Sequence, residues 1–419
     1  MKSIDAKLRF LRFLKSVLIV TVTLLVLVYR RPEQLHSPYI WVEDALNLRD
    51  FINSGWNSLF HPLVGYFILP AKFIFALSAS ISFRWWPEIS YWLTLAFTAA
   101  TLTVIALSPT QLKNPVVCAL AVLFIPTDSE VFAVSLYAGW WGTLLAVLPL
   151  LWRNEGPQRY WLRLGLLILG GLSSPLIIGL ASLYAVRAWA LKTKMAAIDL
   201  AVSIALAAIQ AISLIANAAT PKPATLDFSL PILIDKFFSN YLYVSSAATP
   251  MLYHFAFGLF LLGLLTVLSV IYRKRLGFSF FLLSASFIIA VMFIIARVPL
   301  STIHPSLAGP RYFFLPYVFL SWIVVQIASI DAKFPQLAGV IILAISTRNA
   351  VDVAQRHHEP LAWRAQIEDC LHADRYRLLV HFAGNAKDTW FADMSGAECR
   401  RLVSQSWFDN TITESAPPQ

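Results

Sequence analysis

Charged residues are scarce in this sequence. Asp, Glu, Lys and Arg together make up 13% of the 419 residues, whereas an ordinary soluble domain is about 25% charged. Apolar residues account for 58%, and the mean hydropathy is +0.66. This composition excludes a soluble globular protein and predicts an integral membrane protein. Because a membrane helix needs about 20 mainly apolar residues, the chain has room for roughly ten spans and a few loops, which favours one polytopic bundle.

Several motifs that mark enzyme classes are also missing. The sequence has no glycine-rich phosphate-binding loop, no zinc-type Cys/His spacing and no nucleophile elbow, so nothing equips it for nucleotide chemistry on the cytoplasmic side. We detect no heptads, low-complexity tracts or internal repeats. The net charge of +10 does not indicate nucleic-acid binding, because Lys and Arg sit in short clusters between apolar runs. The expected partner is the lipid bilayer rather than nucleic acid.

The basic clusters orient the apolar segments. The first segment follows a basic stretch and lacks a small-residue cleavage site, which predicts a retained helix with a cytoplasmic N-terminus. The cluster at Arg153, Arg159 and Arg163 is also assigned to the cytoplasm. Alternation then predicts an all-α protein of a bacterial inner membrane with eleven spans and an external C-terminus. The predicted spans are 16–29, 86–107, 116–125, 137–152, 162–172, 176–189, 196–217, 251–272, 278–296, 312–330 and 337–346.

Two segments outside these spans have their own character. In the first external loop, residues 30–87, the apolar stretch 63–83 contains Pro70 and Lys72, so we expect a juxtamembrane helix from which Lys72 snorkels to water. The tail, residues 348–419, is charged and predicts a small periplasmic α/β segment beside a membrane domain of residues 1–347. Cys370 and Cys399 both lie in the tail, where a periplasmic location permits a disulfide; two free thiols are the alternative.

Two external loops contain paired carboxylates. Glu43 and Asp44 lie among aromatic residues after the first span, which suits a general base or a metal ligand in a partly desolvated pocket. The alternative is a solvated loop whose charge lies at a helix N-terminus. Asp128 and Glu130 could bind an acceptor or a metal in the same way, or act as a helix cap. A divalent cation is therefore a candidate cofactor, although the sequence leaves the metal unknown.

Cationic side chains are found at the same predicted membrane face. Arg297, His304 and Arg311 share one external loop, and a guanidinium suits a phosphate because it forks around two oxygens. The alternative for each arginine is an interfacial anchor beside aromatic residues. Lys72 and His61 are weaker candidates of the same kind, and His61 and His304 could also bind an acceptor or a metal. These residues predict an anion site facing the acidic pairs.

Short motifs in this order resemble the GT-C superfamily of polytopic glycosyltransferases. The matching stretches are Trp41-Val42-Glu43-Asp44, Gly55, Pro62, Gly65-Tyr66, Leu69-Pro70-Ala71-Lys72, Glu130-Val131-Phe132 before Trp140, Ser173-Ser174-Pro175, and Gly309-Pro310-Arg311-Tyr312-Phe313. The resemblance covers roughly residues 1–350 and implies a cytoplasmic N-terminus, juxtamembrane helices in the first external loop and a polyprenyl-phosphate-linked sugar as donor.

The resemblance also implies roles for individual residues. Asp44 or Glu43 would deprotonate or orient an acceptor hydroxyl, and Arg311, with Lys72 or Arg297, would hold the phosphate leaving group. The acceptor would be an external glycan, lipid or protein, as in the synthesis of cell-envelope polysaccharide. Which of the two carboxylates is the base stays open.

Three other functions remain as alternatives. An O-antigen polymerase or ligase also uses external arginines but needs a long external loop between late spans, and the loop 297–310 is short. A transporter would place charges in mid-membrane and often has inverted repeats. A non-enzymatic membrane scaffold would use the tail to bind a partner.

Overall fold

A computed structural model of the protein describes residues 2–153, 159–217, 229–244, 251–382 and 389–414. The described chain is mostly helical. The first ten helices along the chain are α1 (Lys2–Arg30), α2 (Pro32–His36), α3 (Asp44–Ser54), α4 (Leu69–Ile81), α5 (Trp86–Leu107), α6 (Pro115–Leu123), α7 (Ala138–Leu150), α8 (Tyr160–Gly171), α9 (Ile177–Leu191) and α10 (Lys194–Ala216). They are followed by α11 (Leu230–Ile234), α12 (Asn240–Leu242), α13 (Met251–Ile271), α14 (Arg273–Ile295), α15 (Arg311–Ala328) and α16 (Lys333–Val353).

The predicted membrane bundle is present, but the expected number of spans is corrected. Among the described residues, seven helices are long and apolar enough to cross a bilayer, namely α1, α5, α10, α13, α14, α15 and α16. The other four predicted spans coincide with α6, α7, α8 and α9, which have 9, 13, 12 and 15 residues. At a rise of about 1.5 Å per residue, none of these four helices alone covers a hydrocarbon core of about 30 Å. Seven described helices, not eleven, therefore meet the length and composition of a span.

Contacts between loops show that the helices run back and forth between two ends of the bundle. At the end that we call the site face, Arg30 Nη2 donates to the Ile125 carbonyl at 2.8 Å, and Gln210 Nε2 donates to the Gly171 carbonyl at 3.0 Å. At the opposite face, the backbone N–H of Gln111 donates to the Leu151 carbonyl at 2.8 Å. The same face has hydrogen bonds from Lys113 to Gln326, Asn114 to Ser329, Arg187 to Trp152 and Arg275 to Asp331.

A buried ion triad joins three of these helices. Asp199 of α10 is 1% exposed and lies 3.0 Å from guanidinium nitrogens of both Arg163 in α8 and Arg187 in α9. A single ionised side chain would be costly in this apolar surrounding, so the charges are stable only as a group. The triad therefore fixes the short helices α8 and α9 against α10.

The first loop contains α3 and α4, and the position of Lys72 corrects an expectation. Helix α4 falls within the apolar stretch predicted to form a juxtamembrane helix. Lys72 does not snorkel to water, because its side chain is 3% exposed and its ammonium donates to Asp50 Oδ2 at 2.9 Å and to the Ser58 carbonyl at 3.1 Å. Burial without these partners would be unfavourable. Lys72 thus fastens α4 to the end of α3.

The tail forms a small α/β unit that packs on the first loop. Its elements are α17 (Trp363–His372), β1 (Arg375–His381), β2 (Thr389–Ser395), α18 (Gly396–Gln405) and α19 (Trp407–Glu414), with β1 and β2 antiparallel and Arg375 opposite Ser395. Cys370 and Cys399, the pair considered from the sequence, form a disulfide with their Cα atoms 6.2 Å apart.

One hydrophobic core unites the tail with the first loop. Leu48, Phe51 and Phe75 of the loop pack in the same cluster as Trp363 and Leu378 of the tail. Helix α16 also continues past the predicted domain boundary at 347/348 to Val353. The tail and the first loop therefore lie at the same end of the bundle, the site face.

Removal of the carboxylate from the buried triad should destabilise the bundle. Asp199→Asn leaves two buried guanidinium groups without their counter-charge, and we expect the free energy of unfolding in detergent to fall by about 3–5 kcal/mol. Asp331→Asn is the matched control because Asp331 is exposed and its side chain takes part in no ion pair among the described residues. Equal stability of the two variants would contradict the assignment of the triad as a structural unit.

Candidate functional site

A cavity opens at the site face between the first loop and the bundle. The walls come from irregular segments and helix ends that are far apart in the sequence. They are formed by Glu43, Leu63, Val64, Tyr66, Ile68, Leu136, Tyr137, Gly139, Trp140, Ser173, Ser174, Pro175, Phe293, Arg297, Arg311 and Tyr312. The cavity thus unites most of the motifs that the sequence left scattered.

Glu43 and Asp44 are neighbours in the chain but have different environments. Glu43 lines the cavity, whereas Asp44 does not. Asp44 is 1% exposed and its carboxylate accepts hydrogen bonds from the Trp41 backbone N–H at 3.1 Å and from Asn47 Nδ2 at 3.3 Å. Asp44 therefore closes the turn that leads into α3. Of the acidic pair, only Glu43 is placed to meet a ligand.

The carboxylate of Glu43 is unusual because one of its oxygens is buried without a partner among the described residues. None of these residues forms a hydrogen bond with Glu43 Oε2. Burial raises the pKa of Glu43 above its ordinary value; the nearby charge of Arg311 opposes this rise, and the carboxylate of Glu130 adds to it. A buried carboxylate with a raised pKa and a free oxygen is well suited to accept a proton from a bound hydroxyl.

Arg311 enters the cavity from the first turn of α15, where Glu130 holds it. Glu130 is 4% exposed and forms an ion pair with the Arg311 guanidinium, and its second oxygen accepts the Arg311 backbone N–H at 3.0 Å. Tyr137 donates its hydroxyl to Glu130 at 2.8 Å and accepts from Arg311 at 3.1 Å. Glu130 is therefore satisfied by the protein itself, and the Arg311 guanidinium is fixed in orientation.

Arg297 is the second cation of the cavity and has no such counter-charge. It follows the end of α14, is exposed, and lies with its guanidinium carbon 5.0 Å from the centroid of the Tyr66 ring. Within the described part of the chain, Arg297 forms no ion pair. Its N–H groups are consequently available for an anionic ligand.

Tyr66 is held below Arg297 by a turn with unusual backbone angles. Val64 has a φ of +50° and Gly65 a φ of +89°, and Leu63 and Tyr66 exchange backbone hydrogen bonds of 2.9 and 3.2 Å. A positive φ is costly for a β-branched residue such as Val64. The bundle supports this turn because Ser213 of α10 donates to the Gly65 carbonyl at 3.0 Å.

The break between α8 and α9 forms another wall. Ser173, Ser174 and Pro175 approach α7 closely, and a Cβ atom on Gly139 would lie 2.9 Å from the Ser173 carbonyl oxygen. Only glycine permits this approach, as at other helix interfaces built on small residues. The break is therefore fixed in position at the edge of the cavity.

An aromatic wall is the feature that reasoning from the sequence missed. Tyr66, Trp140 and Tyr312 all line the cavity, and the rings of Trp140 and Tyr312 meet edge to face with centroids 6.4 Å apart. Each of these residues lies in or beside a motif that was recognised in the sequence. Their place in motifs that also contain candidate site residues was the signal that could have indicated the aromatic wall. Tyr137, which fixes the Glu130–Arg311 pair, was missed as well.

Several predicted site residues lie outside the cavity. Lys72 is paired with Asp50, and His61 lies 3.9 Å from the same carboxylate. Asp128 forms an ion pair with Arg356 at 2.8 Å. His304 Nδ1 accepts the Ser306 backbone N–H at 3.2 Å. The structure thus does not support Lys72 as part of the anion site, because its ammonium is buried elsewhere.

The described residues contain no group of three or more His, Cys, Asp or Glu side chains that could hold a metal ion. Among the described residues that line the cavity, Glu43 is the only carboxylate. One carboxylate is a poor cage for Mg²⁺ or Ca²⁺ unless a ligand supplies further oxygens. What the cavity offers is one carboxylate, two guanidinium groups and an aromatic wall.

The environment of Asp44 predicts a pH dependence of stability. Burial raises the pKa of Asp44 from 3.8 to about 7, and the hydrogen bonds from Trp41 and Asn47 only partly oppose this rise. Between these two values, the folded protein binds the proton and the unfolded chain does not, so stability falls as the pH rises from about 4 to about 7. We expect the melting temperature of the wild-type protein, relative to that of Asp44→Asn, to fall across this range in detergent. A difference that is independent of pH would contradict the buried environment of Asp44.

Comparison of the chain with models of protein families, with curated proteins and with solved structures gives no match. The functional interpretation therefore depends on the cavity itself. Its composition is distinctive enough to support one: the cavity combines two cations with a buried carboxylate oxygen that forms no hydrogen bond with the described residues, at the end of a membrane bundle.

Proposed function

We propose that this protein is a membrane glycosyltransferase. It would move a sugar from a polyprenyl-phosphate donor to an external glycan, lipid or protein acceptor. The observation that supports this most strongly is the convergence of Glu43, Arg297 and Arg311 on one cavity at the site face. A transferase of this type needs a base on one side of the anomeric carbon and cations on the other.

The reaction follows from these charges. Glu43 accepts the proton of the acceptor hydroxyl while the hydroxyl oxygen attacks the anomeric carbon from the side opposite the phosphate. The bond between the anomeric carbon and the phosphate oxygen breaks, and its electron pair leaves with the polyprenyl phosphate. The configuration at the anomeric carbon is inverted. One catalytic carboxylate is sufficient because the activated donor supplies its own leaving group.

The two arginines would have unequal roles at the donor phosphate. Arg297 has no counter-charge among the described residues, so a phosphate can take its N–H groups without displacing a carboxylate. Arg311 already forms an ion pair with Glu130 and is held rigidly by Tyr137. Arg297 is therefore the primary phosphate ligand, and Arg311 supplies fixed positive charge where negative charge develops.

The remaining walls suit the sugar and its lipid. The aromatic rings of Tyr66, Trp140 and Tyr312 offer π faces on which the C–H groups of a pyranose ring can pack. The apolar side chains of Val64, which is 61% exposed, and Phe293 border the same cavity. They offer the first isoprene units of the donor a path from the bilayer to the phosphate site.

We further propose the orientation that this reaction requires. In this arrangement, the seven long helices cross the bilayer, and the shorter helices α6, α7, α8 and α9 pack against them. The site face is periplasmic and the N-terminus is cytoplasmic in a bacterial inner membrane. The basic residues Arg153, Lys192 and Arg273 adjoin the opposite face, as the positive-inside rule requires for a cytoplasmic side. The disulfide between Cys370 and Cys399 suits an oxidising compartment.

Replacement of the proposed base tests the function. With purified protein, a polyprenyl-phosphate sugar and an acceptor mixture from the cell envelope, we expect Glu43→Gln to lower kcat by about 10²- to 10⁴-fold, the usual contribution of a general base. Asp44→Asn is the matched control: its amide oxygen can still accept the Trp41 N–H that closes the turn, so its effect on kcat should be much smaller. Unimpaired transfer by Glu43→Gln would refute the assignment.

The donor side has its own test. Arg297→Ala removes charge-assisted hydrogen bonds worth about 1.5–3 kcal/mol, so kcat/KM for the donor should fall by about 10- to 100-fold. Arg348→Ala is the control, because the side chain of Arg348 is 77% exposed at the end of α16 and pairs with Asp352. If both variants have the same kcat/KM as the wild-type protein, Arg297 does not bind the donor phosphate.

A further inference from the structure

The cavity has two chemical halves, the carboxylate of Glu43 and the Arg311–Glu130 pair, and these belong to different segments of the chain. Glu43 lies at the turn before α3, whereas Arg311 is fixed by Glu130, which lies in the loop between α6 and α7. Positions of a base and of cations around a reacting carbon must be held to a fraction of an ångström for fast transfer. Some element has to hold these two segments in a fixed relation.

The chain that leads from α16 to the tail passes between these segments. The Ser129 hydroxyl donates to the Ala354 carbonyl, and the Arg356 backbone N–H donates to the Arg30 carbonyl at 3.2 Å. His358 Nε2 lies 2.9 Å from the Ser37 carbonyl. This connecting segment is therefore bonded both to the loop that contains Glu130 and to the start of the first loop.

Arg356 contacts both halves with one side chain. Its guanidinium binds Asp128 Oδ1 at 2.8 Å, and its central carbon lies 5.1 Å from the centroid of the Trp41 ring. Asp128 precedes Glu130 by two positions and Trp41 precedes Glu43 by two positions. The side chains of Arg356 and Asp128 are only 20% and 15% exposed, so solvent screens their ion pair weakly.

The backbone around Trp41 transmits this contact to the proposed base. The Asp44 N–H donates to the Trp41 carbonyl at 2.8 Å, while the Asp44 carboxylate accepts the Trp41 N–H at 3.1 Å. These two hydrogen bonds close the turn around Glu43. A shift of the Trp41 ring would therefore turn the Glu43 carboxylate relative to Arg311.

The neighbouring arginines have a different role. Arg30 and Arg31 are at most 1% exposed; Arg30 donates to the Ile125 and Thr127 carbonyls at 2.8 and 3.0 Å, and Arg31 donates to the Ser129 carbonyl at 2.8 Å. They are enclosed by the fold of the loop itself. Arg356 lies outside this enclosed region, so its side chain can be substituted while the buried hydrogen bonds of Arg30 and Arg31 remain.

We propose that Arg356 is a positioning residue of the transferase site, setting the placement of the Glu43 carboxylate relative to the Arg311–Glu130 pair through its simultaneous contacts with Trp41 and Asp128. This inference rests on the proposed function for its consequence in catalysis. The geometric part concerns the cavity alone and can be measured without turnover.

The kinetic test compares Arg356→Gln with Arg348→Gln. A misplacement of about 1 Å between reacting groups can cost about 100-fold in rate, so Arg356→Gln should lower kcat by about 10- to 100-fold, with a smaller change in the donor KM. Because the charge of Arg311 lowers the pKa of Glu43, a weaker coupling should move the acid limb of the kcat/KM profile to higher pH. Arg348→Gln should leave both kcat and the pH profile unchanged.

The geometric test uses the thiol that Glu43→Cys introduces into the cavity. Cys118 is buried, and Cys370 and Cys399 form a disulfide, so a methanethiosulfonate reagent would report on position 43. The labelling rate at position 43 should rise when Arg356→Gln is added and should not change when Arg348→Gln is added. Arg356→Lys keeps the charge beside Asp128 but lacks the planar group over Trp41; it should fold and show both effects in weaker form.

The outcomes separate the two proposals. If Arg356→Gln, or Arg356→Lys should the former not fold, leaves kcat, the pH profile and the labelling rate at position 43 unchanged, the positioning role is overturned. If that labelling rate changes as expected but the wild-type protein transfers no sugar, or Glu43→Gln is fully active, the proposed function fails while the contact of Arg356 with both halves of the cavity stands.

Discussion

The ion pair between Glu130 and Arg311 is the interaction on which the site depends. Glu130 accepts the first backbone N–H of α15 and fixes the guanidinium that enters the cavity. Through its hydrogen bond with Tyr137, Glu130 also connects α15 to the residue that directly precedes α7. The side chain of Glu130 is only 5% exposed while that of Arg311 is 29% exposed, so the carboxylate is the partner that would be costly to leave unpaired. Because Glu130 is saturated by its protein partners, Glu43 is the cavity carboxylate that keeps an oxygen without a hydrogen bond, and Arg297 is the cavity cation without an ion pair, among the described residues.

Adjacent carboxylates illustrate how environment, rather than residue type, assigns roles. Asp44 is enclosed and accepts two hydrogen bonds from its own turn, whereas Glu43 keeps a buried oxygen at the cavity that forms no hydrogen bond with the described residues. The same turn connects both residues to Trp41, and Trp41 is contacted by Arg356 from the tail side. In the proposed site, Glu43 is thus positioned by Asp44, its neighbour in sequence, and by Arg356, which is distant in sequence.

The sequence was sufficient for features with local causes. Apolar runs predicted the long helices, the break at Ser173-Ser174-Pro175 marked a helix end, and two cysteines in one charged tail suggested the disulfide. The sequence was insufficient where contacts between residues that are far apart in the chain determine the position of a side chain. Lys72 looked like an interfacial cation because nothing in the sequence reveals that Asp50 and Ser58 surround it. The count of eleven spans included the apolar runs of α6, α7, α8 and α9, but these helices are only 9, 13, 12 and 15 residues long. The contacts of Arg356 arise only when the tail folds back on the first loop.

The central claim is that the cavity binds the phosphate of a lipid-linked sugar between Glu43 and the arginines. The most direct measurement is an experimental structure of the protein in a lipid nanodisc with a polyprenyl-phosphate sugar bound to Glu43→Gln. The account predicts a phosphate oxygen at about 2.8 Å from the Arg297 guanidinium, with the anomeric carbon turned toward position 43. A phosphate bound instead at the basic cluster Arg273-Lys274-Arg275 of the opposite face, with the cavity empty, would contradict it.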